Sequence, residues 1–98
     1  MSRCQFATQE PIDAIARVRK LRARGEARKA IVLLRGACMR DETDAVLWTM
    51  YGALEAKAGH DADARRALKH AVWLRRCAGD FARARSTQAL LEVLQIAA

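Results

Sequence analysis

The chain is poor in everything that builds sheets and covalent scaffolds. Aromatic residues make up 5% of its 98 positions and proline occurs once, while Ala, Leu and Arg, all good helix formers, are abundant. An all-β fold is excluded on that balance. The three cysteines, Cys4, Cys38 and Cys77, form no C-x-x-C pair, so neither a disulfide framework nor a paired-cysteine metal knuckle is indicated. Cys38 and Cys77 read as helix-packing residues. No run reaches the roughly 18 apolar residues of a membrane span, and the first ten residues lack the apolar stretch of a secretory signal. A cytoplasmic protein without a membrane anchor is expected.

What remains is 52% apolar and 30% charged, enough for one core and one domain covering residues 1–98. Basic residues outnumber acidic ones by 18 to 11, giving a net charge of +7 and a pI near 10.2. Such a surplus favours an acidic partner. Fourteen of the 18 basic residues are Arg, a bias that a GC-rich genome also produces, so charge alone marks no site.

Punctuation divides the chain into five helices. Pro11 suits the first position of a helix running to about Arg24, and Gly25 supplies the left-handed residue that ends it. A second helix is expected over about Glu26 to Met39. The polar stretch Arg40-Asp41-Glu42-Thr43-Asp44 breaks it, and Thr43 or Asp44 caps a third over about Ala45 to Ala58. Gly59 closes the third helix and Asp61 caps the fourth, over about Ala62 to Ala78. Gly79 then stops it, and Asp80 caps the fifth, over about Phe81 to Ile96. Connections this short force consecutive helices to lie antiparallel.

Residues 11–44 laid over 45–78 match at Gly25 and Gly59, Ala30 and Ala64, Leu34 and Leu68, and Ala37 and Ala71, with a constant offset of 34. The matches are one turn glycine and three positions at i, i+4 and i+7, a single face of the second helix of each unit. With Trp48, Tyr51 and Gly52 in the first helix of the second unit, the pattern resembles the tetratricopeptide repeat, a helix-turn-helix unit of about 34 residues with a W-x2-L-G signature. The first unit is degenerate, carrying Ala14, Arg17 and Val18 where the signature expects Trp, Leu and Gly. The resemblance implies an all-α fold of tandem antiparallel hairpins, with repeats at 11–44 and 45–78 and a capping helix over 79–97. Two repeats fall short of the roughly three that such arrays need, so either the cap stands for half a third unit or the chain forms a homodimer.

The family's function is rigid-surface binding of a protein partner, and its concave face is lined by the first helix of each repeat. Carried over, that face comprises Ile12, Ile15, Arg19, Arg22 and Ala23 in one unit and Val46, Thr49, Ala53, Ala56 and Lys57 in the next, with Arg83 added from the fifth helix. An acidic or C-terminal peptide held by guanidinium groups is the implied ligand. The chaperone-tail subclass expects Lys and Asn where Ile15 and Arg19 stand, and is disfavoured. The basic run Arg17 to Arg24 reads equally well as a solvated helix face.

On the opposite side of the helical wheel, Val32, Met39 and Trp73 form a candidate convex interface, because large apolar groups sharing a wet face call for a reason. The plainer account is that the stems of Arg66, Lys69 and Arg76 cover Trp73. Catalytic, cofactor and metal sites find no support: there is no H-E-x-x-H, no phosphate-cradling glycine loop, and His70 and Cys77 stand two helical turns apart. His60 reads as a wet turn residue, and Asp61 and Asp63 as helix-start acids. An alternative from another class is a nucleic-acid-binding protein using Arg17, Arg19, Lys20, Arg22 and Arg24 on phosphates, although stacking aromatics are scarce.

Overall fold

The computed structural model describes residues 3–97, with side chains over 13–95. Five α-helices follow one another: α1 Arg3–Ala23, α2 Ala27–Arg40, α3 Ala45–Lys57, α4 Asp61–Cys77 and α5 Phe81–Ala97. No strand occurs among the described residues. Each helix packs on the next in chain order. The least extent is 18 Å, about two helix diameters less side-chain overlap, so the hairpins form two layers.

The corners are identical in detail. Gly25, Gly59 and Gly79 have φ of 75°, 85° and 77°, a left-handed conformation that costs glycine nothing and other residues more. At each corner the following amide reaches back to the carbonyl five residues earlier: Glu26 to Leu21 at 2.9 Å, His60 to Glu55 at 2.9 Å and Asp80 to Arg75 at 2.8 Å. This satisfies carbonyls that a helix end would otherwise leave open.

The core follows the offset of 34. Ala30, Leu34 and Ala37 are 0%, 0% and 5% exposed, and Ala64, Leu68 and Ala71 are 0%, 1% and 0%, so both second helices bury the same face. A Cβ on Gly52 would stand 2.8 Å from Leu68 Cγ and 3.3 Å from the Ala64 carbonyl oxygen, so α3 and α4 cross in close approach. The equivalent position on α1 is the buried Val18. There the α1–α2 crossing must accommodate a β-branched side chain, the physical content of the first unit's degeneracy.

Three expectations need correction. The first helix begins at Arg3, not at Pro11; residues 3–10 contain no breaker, and Pro11 removes only one rung of the backbone ladder. His60, not Asp61, holds the cap position of α4, and no side chain caps it. The corner at Gly59 brings the half-in residue forward by one, leaving Asp61 and Asp63 as first-turn acids. Cys77 is exposed, because it ends α4 just before the corner, where no later helix covers it. Asp44, by contrast with the Thr43 alternative, caps α3, accepting from the amides of Val46 at 3.0 Å and Leu47 at 3.2 Å. Thr43 instead donates to the Asp41 carboxylate at 3.2 Å.

Candidate interaction surfaces

Three surfaces carry the residues singled out from the sequence. On α1, Ala14 and Val18 face the core and the basic residues point outward in two stripes. Ile15, Arg19 and Arg22 lie within about 60° of one another, and Arg17, Lys20 and Arg24 within a second arc of about 60°. Ile15 is half-buried and all five cations are exposed. Ile12 lies outside the described side chains. None of the five cations forms an ion pair among the described residues. Elsewhere neutralisation is local: Glu26 takes Lys29 at 2.8 Å, Asp63 takes Arg66 and Asp80 takes Arg83 at 3.1 Å. The Lys29 hydrogen bond holds the Glu26 carboxyl below its usual range and raises the Lys29 ammonium in turn.

The second surface runs from α3 across α4 to the α4–α5 corner. Val46, Ala53 and Lys57 are exposed and Thr49 and Ala56 half-buried. α1 and α3 are not a closely packed pair, so Ile15, Arg19 and Arg22 form one stripe and Val46, Ala53 and Lys57 another, joined through α2 rather than as one wall. Arg83 is committed to Asp80, which also accepts from the Arg83 amide at 3.2 Å. That amide bond, followed by the guanidinium, lowers the Asp80 carboxyl below its ordinary value. The residue not anticipated is Arg75. Its side chain is 11% exposed, with Nη1 3.9 Å from the Asp80 carboxylate and Nη2 donating to Thr49 Oγ1 at 3.2 Å. Its Nε is buried without a hydrogen-bond partner.

The third surface is a concavity of about 460 Å³ between α2 and α4, floored by α3 and lined by Arg35, Cys38, Met39, Trp48, Tyr51, Asp63, Arg66, Ala67 and His70. An aromatic ladder runs along it: Tyr51 and His70 meet Trp48 edge-on at 6.2 and 4.7 Å, and Trp73 stacks on His70 at 5.8 Å. Trp48 Nε1 and His70 Nε2 both donate to the Glu42 carbonyl at 3.0 Å, so a neutral His70 carries its proton on Nε2. Met39 and Trp73, 63% and 59% exposed, therefore flank one feature through His70. Val32 does not join them; it lines a separate hollow with Arg28, Lys29, Leu33 and Gly36 on α2. Trp73 has the His70 ring for a neighbour.

Burial, followed by the carboxylates of Asp44 and Asp41, pushes the Cys38 thiol up to about 12, which keeps it protonated and weakly nucleophilic. Burial also raises the Tyr51 phenol, whose oxygen accepts from Arg35 Nε at 3.4 Å; that bond raises Arg35 further. His60 is exposed at its turn, and its Nδ1 also lies 2.7 Å from Glu55 Oε1, whose side chain is only 3% exposed. Among the described residues no three His, Cys, Asp or Glu side chains converge to hold a metal, and no helix is long and apolar enough to cross a membrane. Comparison with protein-family models, with curated proteins and with solved structures finds no match to this chain.

Proposed function

We propose that this chain is a cytoplasmic, tetratricopeptide-like adaptor that binds an acidic segment of a partner protein along α1 and carries out no chemistry. One observation carries the reading: Arg17, Arg19, Lys20, Arg22 and Arg24 are exposed on a single helix and stand without ion pairs among the described residues, whereas acids neutralise Lys29, Arg66 and Arg83 within their own turns. The half-buried Ile15 between Arg19 and Arg22 adds an apolar anchor beside two guanidinium forks, which suits carboxylates spaced along a peptide. The free Cys38 and Cys77 accord with a reducing compartment.

The test uses a fluorescein-labelled peptide of alternating Glu and Leu, followed by anisotropy, and duplex DNA in parallel. Reversal of Arg19 and Arg22 to Glu is expected to weaken the peptide at least about tenfold, the loss of two charge-assisted contacts in solvent. Peptide affinity should survive the step from 50 to 200 mM salt far better than phosphate binding, which falls by about 500-fold for the five cations through counterion release. Unchanged peptide affinity in the double reversal refutes the adaptor reading. Duplex DNA binding tighter than the peptide, with a steep salt slope, replaces it with the nucleic-acid one.

A further inference from the structure

We infer that a second copy of this chain packs on the outer face of α5, as an antiparallel two-fold pair of α5 helices. α5 covers α4 with Ala84, Thr87 and Leu91, which are 3% exposed each. Its far side presents Ala82, Ser86, Ala89, Leu90 and Val93, all exposed, with Leu90 at 49% and Val93 at 62%. At 100° per residue these five positions fall within an arc of about 100°. Ala82, Ser86, Ala89 and Val93 follow the i, i+4, i+7, i+11 spacing of a helix-packing seam. No charged residue enters the arc, and the Ser86 hydroxyl donates to the Ala82 carbonyl of its own helix at 3.3 Å, so covering it strands no donor. A helix face that met only water would carry charged and polar residues here. This one has the surface of a helix with a neighbour to come.

Charge selects the neighbour and its direction. Arg85 and Glu92 sit on the same flank of the seam, within about 20° of each other on the wheel, and neither has an ion pair among the described residues. Seven residues separate them, about 10.5 Å along the axis, too far to pair within one helix. Antiparallel helices bring like flanks together. A two-fold axis between Gln88 and Ala89 then sets Arg85 opposite Glu92 of the second copy and repeats the pair on the other side of the axis. Ala89 at the crossing admits close approach, and Leu90 and Val93 supply apolar area. Two helices about 25 Å long bury less than the roughly 1,200 Å² lower edge of standard interfaces, so the pair is a weak one that exchanges with monomer.

Sedimentation equilibrium of the whole chain from about 5 to 500 µM reads this directly, with the mass rising from 10.9 kDa toward twice that value. Val93→Glu is expected to stay monomeric throughout with an unchanged helical circular dichroism spectrum. Arg85→Glu and Glu92→Arg are each expected to weaken association about tenfold, by placing like charges opposite one another. Mixed in equal amounts, these two variants should associate as tightly as the wild type, because each then faces its complement. A wild-type chain that is monomeric over the whole range overturns the inference and leaves the face to another helix. So does a Val93→Glu variant that associates as the wild type does, or a mixture no tighter than its components.

Discussion

Two helical glycines separate packing from propensity. Replacing either by alanine improves intrinsic helix stability by about 1 kcal/mol. At Gly52 the new methyl would lie 2.8 Å from Leu68 Cγ and 3.0 Å from Leu68 Cδ2, and Leu68 is 1% exposed with no space to yield into. The Ala64 carbonyl at 3.3 Å is α4 backbone, so relief requires α3 and α4 to part. Overpacking of this kind costs about 1–3 kcal/mol, which exceeds the propensity gain. Gly52→Ala is expected to lose about 1 kcal/mol net, lowering Tm by about 5 °C for a domain of this size. At Gly36 the new methyl meets only Arg40 Nη1 at 3.3 Å, the far end of a flexible side chain. There propensity wins, and Gly36→Ala is expected to gain about 0.5–1 kcal/mol, with Tm up by about 4 °C. Thermal and urea unfolding followed by circular dichroism at 222 nm measures both. The propensity term is common to the two variants, so their difference of about 2 kcal/mol isolates the crossing. Stabilisation by Gly52→Ala of the size seen at Gly36 would refute the close approach of α3 and α4.

Glu55 and His60 should respond in opposite directions in urea unfolding. His60→Ala strips a 3% exposed carboxylate of its nearest partner and is expected to cost about 1–3 kcal/mol, whereas Glu55→Leu removes the buried charge and is expected to be neutral or stabilising; a neutral His60→Ala would show that the pair contributes nothing. For the thiols, Cys77 should react with an aromatic disulfide reagent at pH 8 within minutes while Cys38 reacts only on unfolding. Cys38 also gives stability a pH sign. Its folded thiol titrates at about 12 against an ordinary 9.0, so its contribution is full below pH 9 and fades between pH 9 and 12 as the unfolded chain ionises first. A Cys38→Ala variant should lose that alkaline decline, and an unchanged profile would remove the argument.

Much of the fold was legible in the sequence because its signals are local and stereochemical. A left-handed residue is needed at each corner, only glycine adopts it freely, and Gly25, Gly59 and Gly79 mark all three such corners. Likewise Ala30, Leu34 and Ala37 repeat as Ala64, Leu68 and Ala71 because i, i+4 and i+7 share a face whatever the partner. The start of α1 was not legible: Pro11 is chemically suited both to a first turn and, at the cost of one bond, to a helix interior. The α1 cations were readable as residues but not as a surface. Their distinguishing property is the lack of ion pairs among the described residues, and that depends on how the neighbouring side chains settle. Val32 and Met39 share a wheel face yet line different hollows, because the wheel ignores where α3 and α4 lie.

The buried charges obey a rule that the corners contain. In each corner, the residue four before the glycine gives its carbonyl to the amide of the residue just after it, and the two side chains are brought together; an apolar contact commonly forms there. In this chain the pairs are Leu21 with Glu26, Glu55 with His60, and Arg75 with Asp80. The second pair is hydrogen-bonded at 2.7 Å and the third is an ion pair at 3.9 Å, with the acid before the corner in one and after it in the other. Glu55 is buried and Arg75 half-buried because that position faces the next helix, as the half-buried Leu21 does. Each is tolerated there because the corner's own backbone bond delivers a side chain that can hydrogen-bond it or offset its charge. The first corner has an apolar residue before its glycine, so Glu26 turns instead to Lys29. A charged residue four before a corner glycine, matched by an opposite or titratable one directly after it, is thus a sequence signal for a buried ion pair, and it accounts for both residues that composition and periodicity passed over.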